Sequence, residues 1–255
     1  MDSKFTRILY ICLVILAVLL QFSLSTFAST SDEKYAWGFC RGKNHEQPNL
    51  DVKPLRVLQK YNGIAMGSKE SKKIYLTFDS GYEAGYTQGI LDTLKKTNVK
   101  AAFFITAHYL NTAEDLVMQM IKDGHDVGNH TVNHKDITAL SEEELKKEIM
   151  NLHIAVQEKT GYEMKYFRPP KGEFNDFTTQ FAQKLGYTTV LWSNAYDDWN
   201  TANQGRAEYG KKKLLDNLHR WCSNSSAFYF KRQYDIIRRL HKRSQIHGIR
   251  IRFFR

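Results

Sequence analysis

The sequence predicts an α/β chain folded as a distorted or incomplete (β/α) barrel, and three observations carry that expectation. From about residue 73 onward, apolar stretches of strand length alternate with amphipathic stretches of helix length. Acidic residues fall where strands end, at Asp79 and at Asp197-Asp198, and the carboxyl ends of strands are where α/β folds collect their chemistry. About 150 residues in such units make one domain with a sizeable core, and neither an internal repeat nor a low-complexity segment interrupts them.

The front of the chain reads as a secretory signal peptide over residues 1–28. Lys4 and Arg7 precede an uncharged run from Ile8 to Leu20, and Thr26-Phe27-Ala28 sets small residues at the −3 and −1 positions of a cleavage site. The run of 13 residues is short of the ~20 that a spanning helix needs. Phe22 and Leu24 extend its apolar character, so an uncleaved anchor is the second reading. Either way the body is expected outside the cytoplasmic membrane. Residues 29–72 form a lead-in. Cys12 lies in the signal and Cys222 in the tail, so Cys40 is a solitary thiol of the mature body and no internal disulfide framework exists.

The elements then follow in turn. Residues 74–78 are a strand. Residues 87–96 are a helix with Ile90, Leu91 and Leu94 on one face. Residues 101–106 are a strand and 114–122 a helix. Ser141-Glu142-Glu143-Glu144 is a capping box that opens a helix running to about Lys159. Lys165-Tyr166-Phe167 is a short strand. Residues 174–185 are a helix closed by Gly186, 188–192 a strand, and 211–218 a last amphipathic helix.

Four motifs sit on this frame. Thr77-Phe78-Asp79-Ser80-Gly81-Tyr82-Glu83 puts Asp79 at the end of the first strand; a lone Asp there is more often a turn cap. Gly128-Asn129-His130-Thr131-Val132-Asn133-His134 carries two His four apart, a spacing that lets both grip one divalent ion from one side of a helical turn. Most such pairs bind nothing, and Thr131 stands where a zinc peptidase helix needs Glu. In Arg168-Pro169-Pro170-Lys171-Gly172 the two prolines fix an extended backbone, so Arg168 is held rigidly and able to pair with a carboxylate. Asp197-Asp198-Trp199 sets an acidic pair beside an aromatic, which lines sugar grooves in some proteins and merely packs in more. His108, His125 and His153 read as surface or core side chains, Glu83 as a solvated carboxylate.

Together and in this order, these motifs resemble the polysaccharide deacetylases, the NodB-type domain of carbohydrate esterase family 4, over about residues 35–219. The nearest likeness is to the subgroup acting on N-acetylmuramic acid in peptidoglycan, the delta-lactam-forming de-N-acetylases of spore-forming bacteria. Trp37-Gly38-Phe39 and Asp198-Trp199 add to it. The resemblance implies a NodB-type incomplete barrel over residues 73–219, with Asp79 as the general base that activates water and Arg168 pairing with Asp79 to tune it. It implies His130 and His134 as metal ligands braced by Thr131, and Asp198 as the orienter of a catalytic acid His. Gly81, Tyr82, Pro169, Pro170 and Trp199 would meet the substrate. Amide hydrolysis needs such a set: an activated water, a Lewis acid on the carbonyl oxygen and an acid for the leaving amine.

Two departures stand out. Ser80 occupies the position where the general family has a second Asp as third protein ligand to the metal. A neutral hydroxyl ligates a divalent cation poorly, so Ser80 is a doubtful ligand and the metal, zinc on this reading, is expected to be weakly held or absent. The muramic-acid subgroup also tends to lack that Asp. The second departure is that no strand carrying Leu-Leu-His, whose His is the family's catalytic acid, follows His219. The implied partners are peptidoglycan glycan strands whose stem peptides an amidase has already removed. The chain is expected to be a monomer, to touch the membrane only through its signal or anchor, and to bind no nucleic acid.

The tail has its own signature. Residues 220–255 hold ten Lys/Arg and one acidic residue, Asp235, a net charge of +9 out of +10 for the whole chain. A basic tail ordinarily indicates nucleic acid or an anionic surface. The genetic code favours a shifted reading frame instead. Trp221 is TGG and Cys222 is TGY, and reading one nucleotide later gives Gly without choice. Continued to Phe228, the permitted codons include Pro-Gly-Ala-Val-Ile-Leu-Leu-His after His219. In the same frame Gly248-Ile249-Arg250-Ile251 allows Gly-Tyr-Glu-Phe, similar to the family's closing strand. One nucleotide inserted near codons 219–221 accounts for both. The chain as written is therefore expected to lack the last barrel strand, to leave a sheet edge open and to be impaired. A catalytically inactive glycan-binding protein or fragment is the alternative, and a tail that binds anionic polymer the third reading.

Overall fold

The computed structural model describes residues 33–42, 45–66, 73–195, 207–217, 222–227 and 250–252. The signal segment, Asp198 and Trp199 lie outside them. In chain order the elements are β1 (Tyr35–Ala36), β2 (Phe39–Cys40), β3 (Asn49–Leu50), α1 (Val52–Lys60), β4 (Lys73–Ser80), α2 (Thr87–Lys96), β5 (Ala102–Ile105), α3 (Ala107–Thr112), α4 (Glu114–Lys122), β6 (Asp126–Asn129), α5 (Glu142–Thr160), β7 (Tyr166–Phe167), β8 (Glu173–Phe174), α6 (Asp176–Lys184), β9 (Thr188–Thr189), α7 (Ala207–Asp216), β10 (Cys222–Ala227) and β11 (Arg250–Arg252). Among the described residues no helix is long and apolar enough to cross a membrane.

Strands β4, β5, β6, β7 and β9 follow one another in a parallel sheet, which curls into a half-barrel with the helices outside it. Residues alternate between its faces. Ile74, Leu76 and Phe78 join Phe103, Ile105 and Val127 in the main core, against Ile90, Leu94, Val117, Leu145, Ile149 and Leu152 of the helices. The opposite face is lined by Tyr75, Ala102, Phe104 and Val190. By the same alternation Thr77 and Asp79 belong to this inner face. Both faces of β4 are covered, and its sequence alternates to match: Ile74, Leu76 and Phe78 turn to the helices and the more polar Tyr75, Thr77 and Asp79 to the inner face.

Local chemistry sets the helix ends. Ser141 and Glu144 form the reciprocal capping box of α5, whose C-cap Gly161 adopts φ 70°. Phe174, expected as the first residue of a helix, is instead in β8, paired with Tyr35. Asn175 then caps the helix by accepting from Thr178 N, so α6 starts two residues later than its apolar period indicates.

The lead-in is integral to the half-barrel. Ile64 N donates to Thr189 O at 2.8 Å and Leu191 N to Ile64 O at 2.7 Å, so residue 64 extends the sheet beyond β9. Trp37 donates through its backbone to Gly172 O at 2.9 Å and through its indole to Trp192 O at 2.7 Å. Trp37, Leu58, Ala65, Phe174 and Leu191 make a second apolar cluster under this contact.

The expected loss of the last strand is corrected. β10 lies parallel to β4, with Cys222 opposite Ile74 and Ala227 opposite Asp79, and β11 pairs with Lys73–Tyr75 of the same strand. The edge of β4 is therefore occupied. Cys-Ser-Asn-Ser-Ser-Ala has no strand signature, but a ladder asks only for backbone N–H and C=O groups, and β4 presents a full row of them.

Candidate active site

Three loops meet where β4, β6 and β7 end. The first turns on Arg168, which is fully buried. Its Nη1 donates to Asp79 Oδ1 at 2.5 Å, its Nη2 to Thr77 Oγ1 at 2.9 Å and its Nε to Val190 O at 3.0 Å. The guanidinium lies 4.1 Å over the Phe104 ring. Burial pulls its pKa down and the Asp79 charge opposes that, so the carboxylate is what makes a charge in this position tolerable. Phe104 in turn needs Gly128, where a Cβ would meet the ring at 2.6 Å. Asp79 keeps 23 % of its side chain exposed, enough for water to reach it.

The second loop carries the two imidazoles. It is not the helical turn that the spacing suggests, because Thr131 (φ 68°) and His134 (φ 54°) take left-handed backbone. Side-chain hydrogen bonds hold that shape. Asn129 Oδ1 accepts from Thr131 N at 2.9 Å, and Thr131 Oγ1 accepts from His134 N at 3.0 Å. Buried Glu148, on α5, accepts from Asn133 N at 2.8 Å and Asn133 Nδ2 at 2.7 Å. The rings of His130 and His134 are 4.8 Å apart. His130 Nδ1 lies 2.7 Å from Arg168 O; donation there leaves Nε2 as a lone-pair donor, the arrangement usual for a metal-ligating imidazole. Burial lowers the pKa of His130 to about 4, against the pull of Asp79, and lowers that of His134 as well, so both rings are neutral near pH 7.

The third loop follows β4. Gly81 O accepts from Thr106 Oγ1 at 2.9 Å. Glu83, read from sequence as solvated, accepts instead from Gly85 N at 2.6 Å, Thr87 N at 3.3 Å, Tyr109 OH at 2.9 Å and the Thr87 hydroxyl. It caps α2 and pins the loop against Tyr109, which leaves Tyr82 exposed at its tip. Pro169 and Pro170 are buried beside Arg168. His125 is a buried core residue stacked edge-on to Phe103, and His153 bonds Tyr187 OH at 2.6 Å.

As a metal site these residues fit in part. Two neutral imidazoles are present, and the buried Ser80 Oγ has no hydrogen-bond partner, leaving it open to a ligand. Among the described residues no group of three His, Cys, Asp or Glu side chains assembles, so a divalent ion would be held by two strong donors and a weak third.

The half-barrel, with a carboxylate–guanidinium pair and two imidazoles at its strand ends, is that of a hydrolase acting on amide bonds. The chain belongs to the polysaccharide deacetylase family, carbohydrate esterase family 4: the family model for polysaccharide deacetylases matches residues 66–190. The chain is similar to the peptidoglycan-N-acetylmuramic acid deacetylase PdaA of Bacillus subtilis, 35 % identical over 204 residues, 80 % of this chain and 78 % of that one. It is 42 % identical over 217 residues to an uncharacterized 30.6 kDa protein in the fumA 3' region of Geobacillus stearothermophilus, 85 % of this chain and 81 % of that one. The solved structure of Bacillus subtilis PdaA, described as a family 4 carbohydrate esterase, superposes with a TM-score of 0.82 at 32 % identity over 87 % of this chain and 94 % of that one.

Proposed function

We propose that the intact fold removes the N-acetyl group from N-acetylmuramic acid in peptidoglycan, releasing acetate and a free amine that can close a lactam with the sugar's own lactyl group. The observation that carries this reading is the bond between Arg168 and the partly exposed Asp79 beside two neutral imidazoles. Asp79 takes a proton from the attacking water while Arg168 fixes its orientation. Water oxygen adds to the acetyl carbon, the C–N bond breaks, and the amine leaves with a proton from an acid. His130 and His134 would hold a divalent metal, zinc on this reading, which supplies Lewis acidity at the carbonyl oxygen when bound. Gly81, Tyr82, Pro169 and Pro170 would meet the substrate, and the family resemblance adds Trp199 to the groove and gives Asp198 the orienting of the acid, both outside the described residues.

The acid is what this chain lacks. The shifted frame supplies Leu-Leu-His at codons 225–227, the far end of β10, and its closing-strand string at codons 248–251 overlaps β11. Both hidden strings thus coincide with segments that pair with β4. This supports a single-nucleotide lesion in an enzyme whose residues 73–219 are otherwise whole, with residues 1–28 directing it outside the cytoplasmic membrane as a monomer. The substrate is glycan already stripped of stem peptides by an amidase. Ala227 in place of an acid favours the second reading, an inactive glycan-binding protein.

Two experiments together test this. Resequencing codons 210–235 from fresh genomic DNA is expected to lose one nucleotide and restore Leu-Leu-His. Acetate release from de-peptidated glycan is expected from the restored chain and not from the 255-residue form. Normal turnover by the 255-residue form, or none by the restored one, overturns the reading.

A further inference from the structure

Lys171 is an exposed cation on the turn that carries Arg168, and its backbone is left-handed, with φ 58° and ψ 4°. An L side chain other than Asn or Asp is disfavoured there, and Gly would occupy the position without strain. The conformation is imposed from both sides. Gly172 is itself left-handed at φ 70°, and a Cβ on it would meet Trp192 at 2.7 Å and Trp37 at 3.0 Å. Its amide is tied to Pro169 O at 3.1 Å and its carbonyl to Trp37 N at 2.9 Å. Among the described residues Lys171 has no hydrogen bond or ion pair, and it stands three positions after the buried Arg168 on the same turn, beyond the two buried prolines. A flexible cation is thus set at the rim of the reaction centre on a strained, clamped turn, where a glycine would cost less.

On N-acetylmuramic acid the reacting acetamide and the lactyl ether stand on adjacent ring carbons. A free lactyl carboxylate therefore travels with the amide into the site, whereas N-acetylglucosamine brings only a hydroxyl. We infer that Lys171 is a specificity-determining residue that pairs with the free lactyl carboxylate of the muramic-acid residue being deacetylated. The inference rests on the muramic-acid reading above. It also gives that reading a physical reason for the prior removal of the stem peptide: while the peptide is attached, the carboxylate is an uncharged amide and Lys171 has nothing to pair with.

The test measures binding, which does not need the missing acid. The full chain is titrated at low salt with a tetrasaccharide of alternating N-acetylglucosamine and N-acetylmuramic acid with free lactyl groups, with the same glycan after its lactyl groups are converted to amides, and with chitotetraose. The unsubstituted protein is expected to prefer the free-lactyl glycan about fivefold, the scale of one exposed ion pair. Lys171→Gln is expected to lose that preference with chitotetraose binding unchanged, and Lys171→Arg to keep it. Lys171→Gly is expected to raise Tm by relieving the backbone while losing the preference, which a purely structural lysine would not do. Equal binding of all three glycans by the unsubstituted protein, or an undiminished preference in Lys171→Gln, overturns the inference and leaves the deacetylase reading intact. Failure to bind any of the glycans overturns the inference, while the deacetylase reading stands or falls with acetate release from the restored chain.

Discussion

Ala227 stands in register with Asp79 across the ladder between β10 and β4. The tail thus delivers backbone to the level of the carboxylate at the codon that the proposed frame reads as His. On that reading the missing acid is a matter of side-chain identity at a position whose backbone is already there.

Ala227→His should therefore restore part of the activity without repair of the rest of the tail. A positioned acid contributes about 10²–10⁴-fold, so acetate release from de-peptidated glycan is expected to rise by at least about 10²-fold. A chain carrying this substitution that is no faster than its parent would show that the register does not bring position 227 to the substrate.

Removing Asp79 should cost stability as well as activity. Asp79→Ala leaves the Arg168 charge buried, with Thr77 Oγ1 and Val190 O among its remaining acceptors. Breaking such a pair costs about 3 kcal/mol, to be read as a lower urea midpoint at unchanged m. Replacing both partners, Asp79→Ala with Arg168→Met, is expected to recover most of the loss, because no uncompensated charge remains.

Stability should fall on mild acidification, through His125. Its Nδ1 accepts from Ala101 N at 3.3 Å, and burial first, then the Lys100 charge, lower its pKa from 6.5 to about 4, with Asp123 opposing. Above pH 6.5 the ring is neutral folded or unfolded, and its contribution is complete. As pH falls from 6.5 towards 4 the unfolded chain takes up the proton and the folded one does not, so stability drops by about 3 kcal/mol and levels off below that window. His130 titrates over the same range. His125→Asn, which keeps an acceptor for Ala101 N, is expected to remove about half of the slope in unfolding curves taken between pH 7.5 and 4.5.

Zinc affinity should respond to Ser80. The buried Ser80 Oγ has no hydrogen-bond partner, and a carboxylate there would add an anionic third ligand to two imidazoles. Ser80→Asp is expected to tighten Zn²⁺ binding by at least about tenfold, measured by competition with a chelating dye. Unchanged affinity would mean that residue 80 does not face the ion.

The strand that presents Asp79, the buried Arg168 and the His pair were all legible, because each rests on local pattern: a short apolar run, a proline-fixed turn, a spacing of four. The capping box at Ser141 and Glu144 was equally local. Less legible were features that depend on distant partners. Glu83 looks solvated until Tyr109, 26 positions away, donates to it. β6 carries Asp-Val-Gly-Asn, with no alternation to betray a strand, and is held by neighbours on both sides. β10 shows the limit most plainly, since Ser and Asn pair with β4 through backbone groups on which composition is silent. The left-handed Thr131 and His134 were hidden for the opposite reason, because His-x-x-x-His is the spacing of a helix even when side-chain bonds bend it otherwise.

The indole of Trp37 donates to a carbonyl 155 positions further along the chain. On a ribosome or in an export channel, where the amino end emerges first, that donor waits for nearly all of the domain to appear before it can be satisfied. No nascent fragment ending before residue 192 contains a finished site, so the turn bearing Arg168 and Lys171 should be among the last parts to settle. A long-range closure of this kind slows folding more than it strengthens the product. It also ensures that a half-made chain does not yet carry a finished site.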